Sequence, residues 1–299
     1  MQLFSELVKI PHEKLEKNGI FDCFLDKDSE FSINIQRLKE STTPEFSDSY
    51  NKIVKHFRNI GLLLSKAENK DAVAFRSAIK IFDFSEVNEI RLGYSKGKRG
   101  NGFGKKIKEK VIFDAYEIIK NGCEEPQLFE LMGLFEKNVG ADRISDMIGV
   151  IILEDIQKYT LKTLKKLKID KKKKLEYDKG FIINPYTKKR IYLLPIEILH
   201  KLPIVQCWSD IAYAAEYNQS IKDEMNRIVG DTWNKLSKEK KKEKIRETIL
   251  SNNEFISGII NAYKSESINQ LNIKKDFSYN RRFILNLAEK YFKGKKTHI

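Results

Sequence analysis

GYSKGKRGNGFGKKIKEKVIFDAYEIIKNG, residues 93–122, runs straight into CEEPQLFELMGLFEKNVGADRISDMIGVIILEDIQKY, residues 123–159. A glycine-dense basic loop opens one helix there, and a glycine–acid turn opens another. In the first, Ile107, Val111, Ile112, Ala115, Ile118 and Ile119 share one face, which predicts a helix over 105–120 closed by Asn121-Gly122 as a left-handed C-terminal cap. Pro126 starts a shorter predicted helix reaching Phe135, and Asn138-Val139-Gly140 closes it. Asp142 then opens a long helix predicted to run toward Leu167, with the segment MIGVIIL (147–153) apolar on every side. Its β-branched content also suits a buried strand, but the helical patterns flanking it favour a central core helix.

Upstream of this stretch, residues 1–30 read as irregular, with the turn-rich LDKDSE segment. Phe31, Ile33 and Ile35 alternate with Ser32 and Asn34, the period of a half-buried strand. STTP breaks the chain, with Thr43 as N-cap and Pro44 in a first helical turn. Phe46, Tyr50, Ile53, Val54, Phe57, Ile60 and Leu64 then recur at helical spacing, and a second helix over 71–82 carries Val73, Phe75, Ala78, Ile79 and Phe82. These aromatics read as core rather than as a platform for stacking bases. Residues 87–94 form a short strand or turn leading into the loop.

Downstream, a lysine-rich tail at 162–174 marks a boundary or surface linker. FIINPYTKKRIYLLP reads as a hairpin, and Pro195 and Pro203 bracket a helical turn. Helices are predicted over 208–229, 232–250, 255–264 and 279–292. The fold class is therefore mainly α with a few short strands (α+β), with a central buried helix at about 142–167 and a β-hairpin at about 181–194. The chain divides into residues 1–170, a helical part with the basic loop, and 171–299, the hairpin with a helical part, the two able to pack as one unit.

Lys and Arg outnumber Asp and Glu by 56 to 42 over 299 residues, a net charge of +14. That surplus selects polyanionic partners, nucleic acid first and an anionic membrane surface second; the alternative is a solvated lysine-rich surface. Cys23, Cys123 and Cys207 lie far apart with no CxxC, which fits a reducing compartment. His12, His56, His200 and His298 form no HxH or HExxH, so no zinc site is encoded locally. The N-terminal stretch lacks the pattern of a signal peptide, and no apolar run approaches the roughly eighteen residues of a membrane span. The expectation is a cytoplasmic protein that does not enter a membrane.

Between Arg91 and Lys110 lie five glycines and eight cations against one carboxylate, Glu109. Glycines let the backbone approach a phosphate and turn its N–H groups toward it, and a helix N-terminus adds a favourable dipole. Lys105 and Lys106 in a first helical turn oppose that dipole unless an anion stands before them. Lys96, Lys98, Arg99, Gly100, Gly102, Gly104, Lys105 and Lys106 are the candidate phosphate contacts; the alternative is a flexible connector. The loop is no Walker A motif, because Arg99 holds the first glycine position and Lys106 replaces the Ser/Thr. It is no GxGxxG either, since Lys105 takes the third glycine position.

A second constellation is acidic: Glu130, Glu136, Asp142, Asp146, Glu154 and Asp155. Asp142 and Asp146 share a helix face. Glu130, Asp142 and Asp146 are the candidate catalytic carboxylates, with Mg²⁺ as the candidate cofactor for phosphodiester hydrolysis. The competing reading makes Asp142 an ordinary first-turn acid and pairs Asp146 with Arg143 or a neighbouring helix. Cys123 and Cys207 have no adjacent histidine that would make a thiol nucleophile. Trp208 and Trp233 open helices and read as packing anchors. The stretch 236–247 carries six cations and three glutamates, an exposed helix laced with i,i+4 pairs or one lying along nucleic acid.

The segments Phe31–Leu38, GYSKGKRGNGFGKK, PQLFELMGLFEKNVGADRISDMI and NPYTKKRIYLLP resemble the N-terminal region of bacterial phage-defence or mobile-element proteins. Some of those continue into a nuclease-like domain of the PD-(D/E)XK type. Glu68-Asn69-Lys70, Asp170-Lys171-Lys172 and Glu239-Lys240-Lys241 match the second half of that motif, but none sits in a strand context. What the resemblance implies is a nucleic-acid-binding, nuclease-associated component of an antiviral system. A protein partner from the same operon is a further expectation, and a helical scaffold for a partner effector or a metal-dependent nuclease are the alternatives. No reaction is named by the sequence.

Overall fold

Four residues of one helix face, Ile53, Phe57, Ile60 and Leu64, are wholly shielded from solvent and mark the centre of the core. A computed structural model describes residues 2–85, 87–93, 104–137, 139–169, 174–201 and 237–251, together with 256, 257, 260, 261 and 264. Among them are nine α-helices and two two-stranded antiparallel sheets, so the chain is mainly helical with a few strands, as its periodicity predicts. In chain order these are α1 (Phe4–Val8), α2 (His12–Lys17), β1 (Phe31–Ile33), α3 (Ile35–Lys39), α4 (Ser49–Lys66), α5 (Val73–Ile81) and α6 (Lys105–Lys120). They continue with α7 (Ala141–Ile151), α8 (Leu153–Lys166), β2 (Tyr177–Asp178), β3 (Phe181–Ile182), β4 (Leu199–Lys201) and α9 (Lys238–Ser251). No helix among the described residues is long and apolar enough to cross a membrane.

The buried stripe belongs to α4, which packs against α5, α6 and a 3-10 turn at Pro126–Leu128. Phe57 stacks on Phe129 with centroids 5.1 Å apart, and Phe82 meets Phe84 edge-on at 4.9 Å. The aromatics are core, and each such pair adds about 1 kcal/mol beyond the area it buries. Val73 departs from that reading: at the first turn of α5 it is 70% exposed.

The strand expected to be half-buried is covered on both faces. β1 pairs with β4 in the register Phe31↔Lys201, Ser32↔His200 and Ile33↔Leu199, and even Ser32 is buried, its hydroxyl donating to the His200 carbonyl at 3.3 Å. It ends at Asn34, whose side chain accepts from Arg37 N at 2.9 Å, so the apolar alternation stops and Ile35 begins α3. Helix α7 lies on β1, with Ser145 Oγ accepting from Ile33 N at 2.9 Å. A Cβ built on Gly149 would stand 3.0 Å from Ile90 Cδ1, so a methyl here needs a small shift of that side-chain tip and anything larger would press α7 away from β1. β4 joins residues on the two sides of the 170/171 division, as α9 does by packing on α6.

The central helix predicted over 142–167 is two helices meeting at Ile152 (φ −101°, ψ 18°). Backbone bonding survives the bend: Ile152 N donates to Ile148 O, and Asp155 N and Ile156 N donate to Ile152 O. Met147, Ile148, Ile152 and Ile156 stay fully buried through it. The bend serves two partners at once. α7 keeps its face on β1, while α8 brings the buried Asp155 to α4, where Ser49 Oγ donates at 2.7 Å and Lys52 Nζ at 2.5 Å.

Residues 1–30, expected to be irregular, hold α1 and α2, both too short for periodicity to reveal. The buried Asp22 carboxylate fixes them, accepting from Ser5 N at 2.8 Å and contacting His12 Nδ1 at 2.7 Å. Pro126 begins two 3-10 turns, Pro126–Leu128 and Met132–Leu134, rather than one helix. Around the predicted hairpin, Ile183 bridges Arg190, Ile191 N donates to Ile182 O, and Asn184 N donates to Lys189 O across the turn. A second tight turn precedes it, Lys179 (φ 50°) and Gly180 (φ 87°) joining β2 to β3. The helices predicted over 208–229 and 279–292 lie outside the described residues, as do Cys207, Trp208 and Trp233.

The lysine-rich helix is not an exposed rod. In α9, Ile245 and Ile249 are buried and Lys242 is 3% exposed, its ammonium donating to the carbonyls of Glu136 (2.9 Å) and Val139 (2.7 Å).

Candidate functional site

Residues 94–103 lie outside the described residues, and with them Lys96, Lys98, Arg99, Gly100 and Gly102. Both ends of that loop are described. Upstream, residues 91–93 pair with 29–31: Ser29 N donates to Arg91 O at 3.0 Å, Glu30 N to Gly93 O at 3.0 Å, and Gly93 N to Phe31 O at 3.2 Å. Arg91 (φ 58°), Glu30 (φ 55°) and Gly93 (φ 113°) are all left-handed, a conformation natural for the glycine and costing the other two about 1–2 kcal/mol each. Residues 87–93 accordingly form turns rather than a strand.

Downstream, Gly104 is the N-cap of α6, with its carbonyl accepting from Ile107 N and Lys108 N and no side chain to cap the remaining donors. The first turn contains no acid. Lys105 is 85% exposed, with Glu109 at 3.9 Å its one ion-pair partner among the described residues, and Lys106 is exposed. The next cations are engaged within the fold: Lys108 Nζ sits 3.0 Å from Asp83 Oδ1, and Lys110 bridges two carboxylates. An uncapped, positively polarised helix end thus carries two lysines directed to solvent.

The acidic candidates stand apart from this picture. Glu130 is buried beside Tyr50, whose hydroxyl pKa is raised by burial and then by the Glu130 charge. Asp142 lies in the first turn of α7, with Asp146 one turn further on. Among the described residues no group of three or more His, Cys, Asp or Glu side chains is placed to hold a metal ion, so Glu130, Asp142 and Asp146 form no such group.

What the periodicity does not reveal is a buried charge cluster on α6. Asp114, with no solvent exposure, takes Arg246 through Nε (2.6 Å) and Nη2 (2.5 Å), and Lys110 Nζ at 2.8 Å. Lys110 also reaches Glu136 Oε2 at 2.6 Å. Burial alone would raise the Asp114 pKa, but hydrogen bonds from Arg246, Glu136 and Lys110 outweigh it and hold the carboxyl well below the usual range. Glu136 goes the other way, pushed up to about 7 by burial and by its hydrogen bond to Asp114, against the pull of Lys110. Of these contacts only Lys110–Asp114, one helical turn apart, is readable locally.

A groove of about 870 Å³ lies between α2, the Pro44–Phe46 turn and α8. Two of its carboxylates are held by neighbours. Glu45 pairs with Lys162, and Glu197 accepts from Ser41 Oγ (2.5 Å), Thr42 Oγ1 (2.9 Å) and Thr43 N (2.9 Å). Those bonds lower the Glu197 pKa despite the opposing effect of burial.

No curated protein and no solved structure matches the chain. Residues 9–206, from the end of α1 through β4 and including the basic loop, Arg91, Asp114 and Glu136, match the model of the family described as Domain of unknown function (DUF8370), and the chain belongs to that family.

Proposed function

We propose that this chain binds nucleic acid through backbone phosphates, using the Gly-rich basic loop and the first turn of α6, as a cytoplasmic component of a bacterial phage-defence system. One observation carries the phosphate reading. Lys105 and Lys106 stand exposed on the uncapped N-terminus of α6, where cations are unfavourable by about 0.3–1 kcal/mol each until an anion faces them. The +14 charge adds long-range attraction to any polyanion. Lys96, Lys98, Arg99, Gly100, Gly102 and Gly104 join the proposal through the sequence pattern of the loop. The placement in phage defence and the association with a nuclease rest on the sequence resemblance alone.

The test is binding of a DNA duplex and an RNA strand of equal length over a range of salt. Lys105→Glu with Lys106→Glu is expected to weaken both across all sequences and to flatten the slope of log K against log salt by about two. Retention unchanged in that double variant removes this helix end from the interface.

A second reading, a helical scaffold for a partner effector from the same operon, is favoured by the exposed Leu62, Val73 and Ile81 on α4 and α5. Leu62→Glu with Val73→Glu would then abolish co-purification of the neighbouring gene product while leaving nucleic-acid binding intact.

A further inference from the structure

Arg91 is buried to 94%, and its guanidinium is not satisfied. Its Nη1 is ion-paired with Asp28 Oδ1 at 3.6 Å, beyond hydrogen-bonding distance, and its Nε and Nη2 are shielded from solvent with no hydrogen-bond partner among the described residues. Asp28 balances the charge, but buried polar groups are hydrogen-bonded in the great majority of cases, and each shielded N–H left unpaired costs about 1–3 kcal/mol. Two other arginines among the described residues, the buried Arg37 and the half-buried Arg246, have their guanidiniums filled. Arg37, also buried, donates to the Leu199 carbonyl at 2.6 Å, and Arg246 grips Asp114 through Nε and Nη2. Those two atoms form the side-on edge of the guanidinium fork, the edge that matches two oxygens of a carboxylate or phosphate. Arg246 has that edge filled by an oxyanion; in Arg91 the same edge is empty.

We propose that Arg91 is a phosphate receptor at the upstream end of the basic loop, taking two oxygens of one backbone phosphate of the bound nucleic acid through Nε and Nη2. This rests on the phosphate-binding reading above and deepens it. Position and backbone support it independently of the side chain. Arg91 lies two residues before the loop and is itself left-handed, as is Glu30 across the pairing that holds it. Left-handed residues also close ordinary turns in this chain, such as Lys179. These two, however, face each other across the pairing at the mouth of the basic loop, where strain is a recurrent feature of ligand sites. Because the edge is covered in the free protein, phosphate capture includes opening of the three backbone bonds between 29–31 and 91–93. The strain released at residues 30 and 91 lowers the cost of that opening. Asp28 is the internal competitor that holds the guanidinium until phosphate arrives.

The experiment uses the full chain, a fluorescent oligonucleotide duplex and, separately, inorganic phosphate, with Arg91→Gln, Arg91→Lys, Asp28→Asn and the Lys105→Glu/Lys106→Glu double variant. Arg91→Gln is expected to weaken duplex binding about tenfold and to lower the salt slope by about one. Arg91→Lys keeps the charge but not the fork, so the slope holds while affinity falls several-fold. Asp28→Asn, freed of the competitor, binds several-fold tighter. Thermal melting of unliganded Arg91→Gln equals or exceeds that of the parent, whereas a merely structural arginine would leave it lower. Parental affinity and slope in Arg91→Gln, with binding lost in the lysine double variant, overturn the Arg91 assignment and leave the helix-end reading standing. Protection by inorganic phosphate that needs Arg91, with no duplex binding in any variant, overturns the nucleic-acid reading and assigns the receptor to free phosphate.

Discussion

Replacing Asp114 by alanine removes two hydrogen bonds from Arg246 and one from Lys110, together with the one it takes from Glu136. Breaking a buried ion pair by deleting one partner costs about 3–5 kcal/mol, chiefly because the other charge is stranded. Here the stranded groups are not wholly enclosed. The Arg246 side chain is 31% exposed and that of Lys110 44%, so both rehydrate in part and the lower end applies. Glu136 offsets a further part, since without Asp114 beside it the carboxyl ionises more readily and pairs with Lys110. The net loss is about 2 kcal/mol near neutral pH, which at about 2.1 cal/mol/K of unfolding entropy per residue is a fall in Tm of about 3 °C. The assay is thermal and urea unfolding followed by circular dichroism for Asp114→Ala, Arg246→Met and the double variant. The double-mutant cycle should return a coupling of about 1.5–3 kcal/mol. A Tm within 1 °C of the parent, or single losses that simply add, would refute the view that this cluster ties α9 to α6.

Glu136 adds a pH signature. Its folded pKa, about 7, lies above the ordinary 4.5, so the native state holds a proton that the unfolded chain releases. That stabilising contribution is full below the ordinary value and is lost as pH rises through about 7. Glu136→Gln should flatten the urea midpoint between pH 5 and pH 8, while an undiminished slope in the variant would exclude Glu136 as its source. Asp114 acts in the opposite sense: its depressed pKa gives stability present above the ordinary carboxylate range and lost as pH falls through the folded value. At Gly149, alanine meets only the flexible tip of Ile90 and gains helix propensity, so Gly149→Ala should stay within about 1 kcal/mol of the parent. Gly149→Leu overpacks the α7–β1 contact and should cost about 1–3 kcal/mol by the same unfolding measurement, and equal stability of the two variants would show that the close approach is not needed.

The parts legible in the sequence are those governed by near neighbours. The stripe of α4, the span of α6 with its Asn121-Gly122 close, and the apolar 147–153 segment all follow from residues three or four apart sharing a helix face. The proposed phosphate contacts rest on the same kind of local feature, glycine density and first-turn lysines, and Lys96, Lys98, Arg99, Gly100 and Gly102 lie outside the described residues. Where short-range rules were applied to long-range facts they misled. The alternation at 31–35 foretold a strand with one wet face, but β4 and α7 cover it and Asn34 ends it. The unbroken helix over 142–167 bends at Ile152 because β1 and α4 make separate demands on its two halves. α9, polar enough to suggest an exposed rod, is held by carbonyls near Glu136 and by Asp114, more than a hundred residues away.

By itself, then, the amino-acid order determined the class of fold, the placing of most helices, the surplus of positive charge and the one loop where glycines and cations coincide. Tertiary structure alone decided which charges are spent inside the molecule and which stay exposed or unfilled. Lys108, Lys110, Lys242 and Arg246 are committed to internal partners, whereas Lys105 and Lys106 face solvent and Arg91 is buried with one edge of its fork unfilled. The physical reason is that propensity and dipole act over a helical turn, while desolvation and ion pairing depend on what the folded chain brings within about 4 Å.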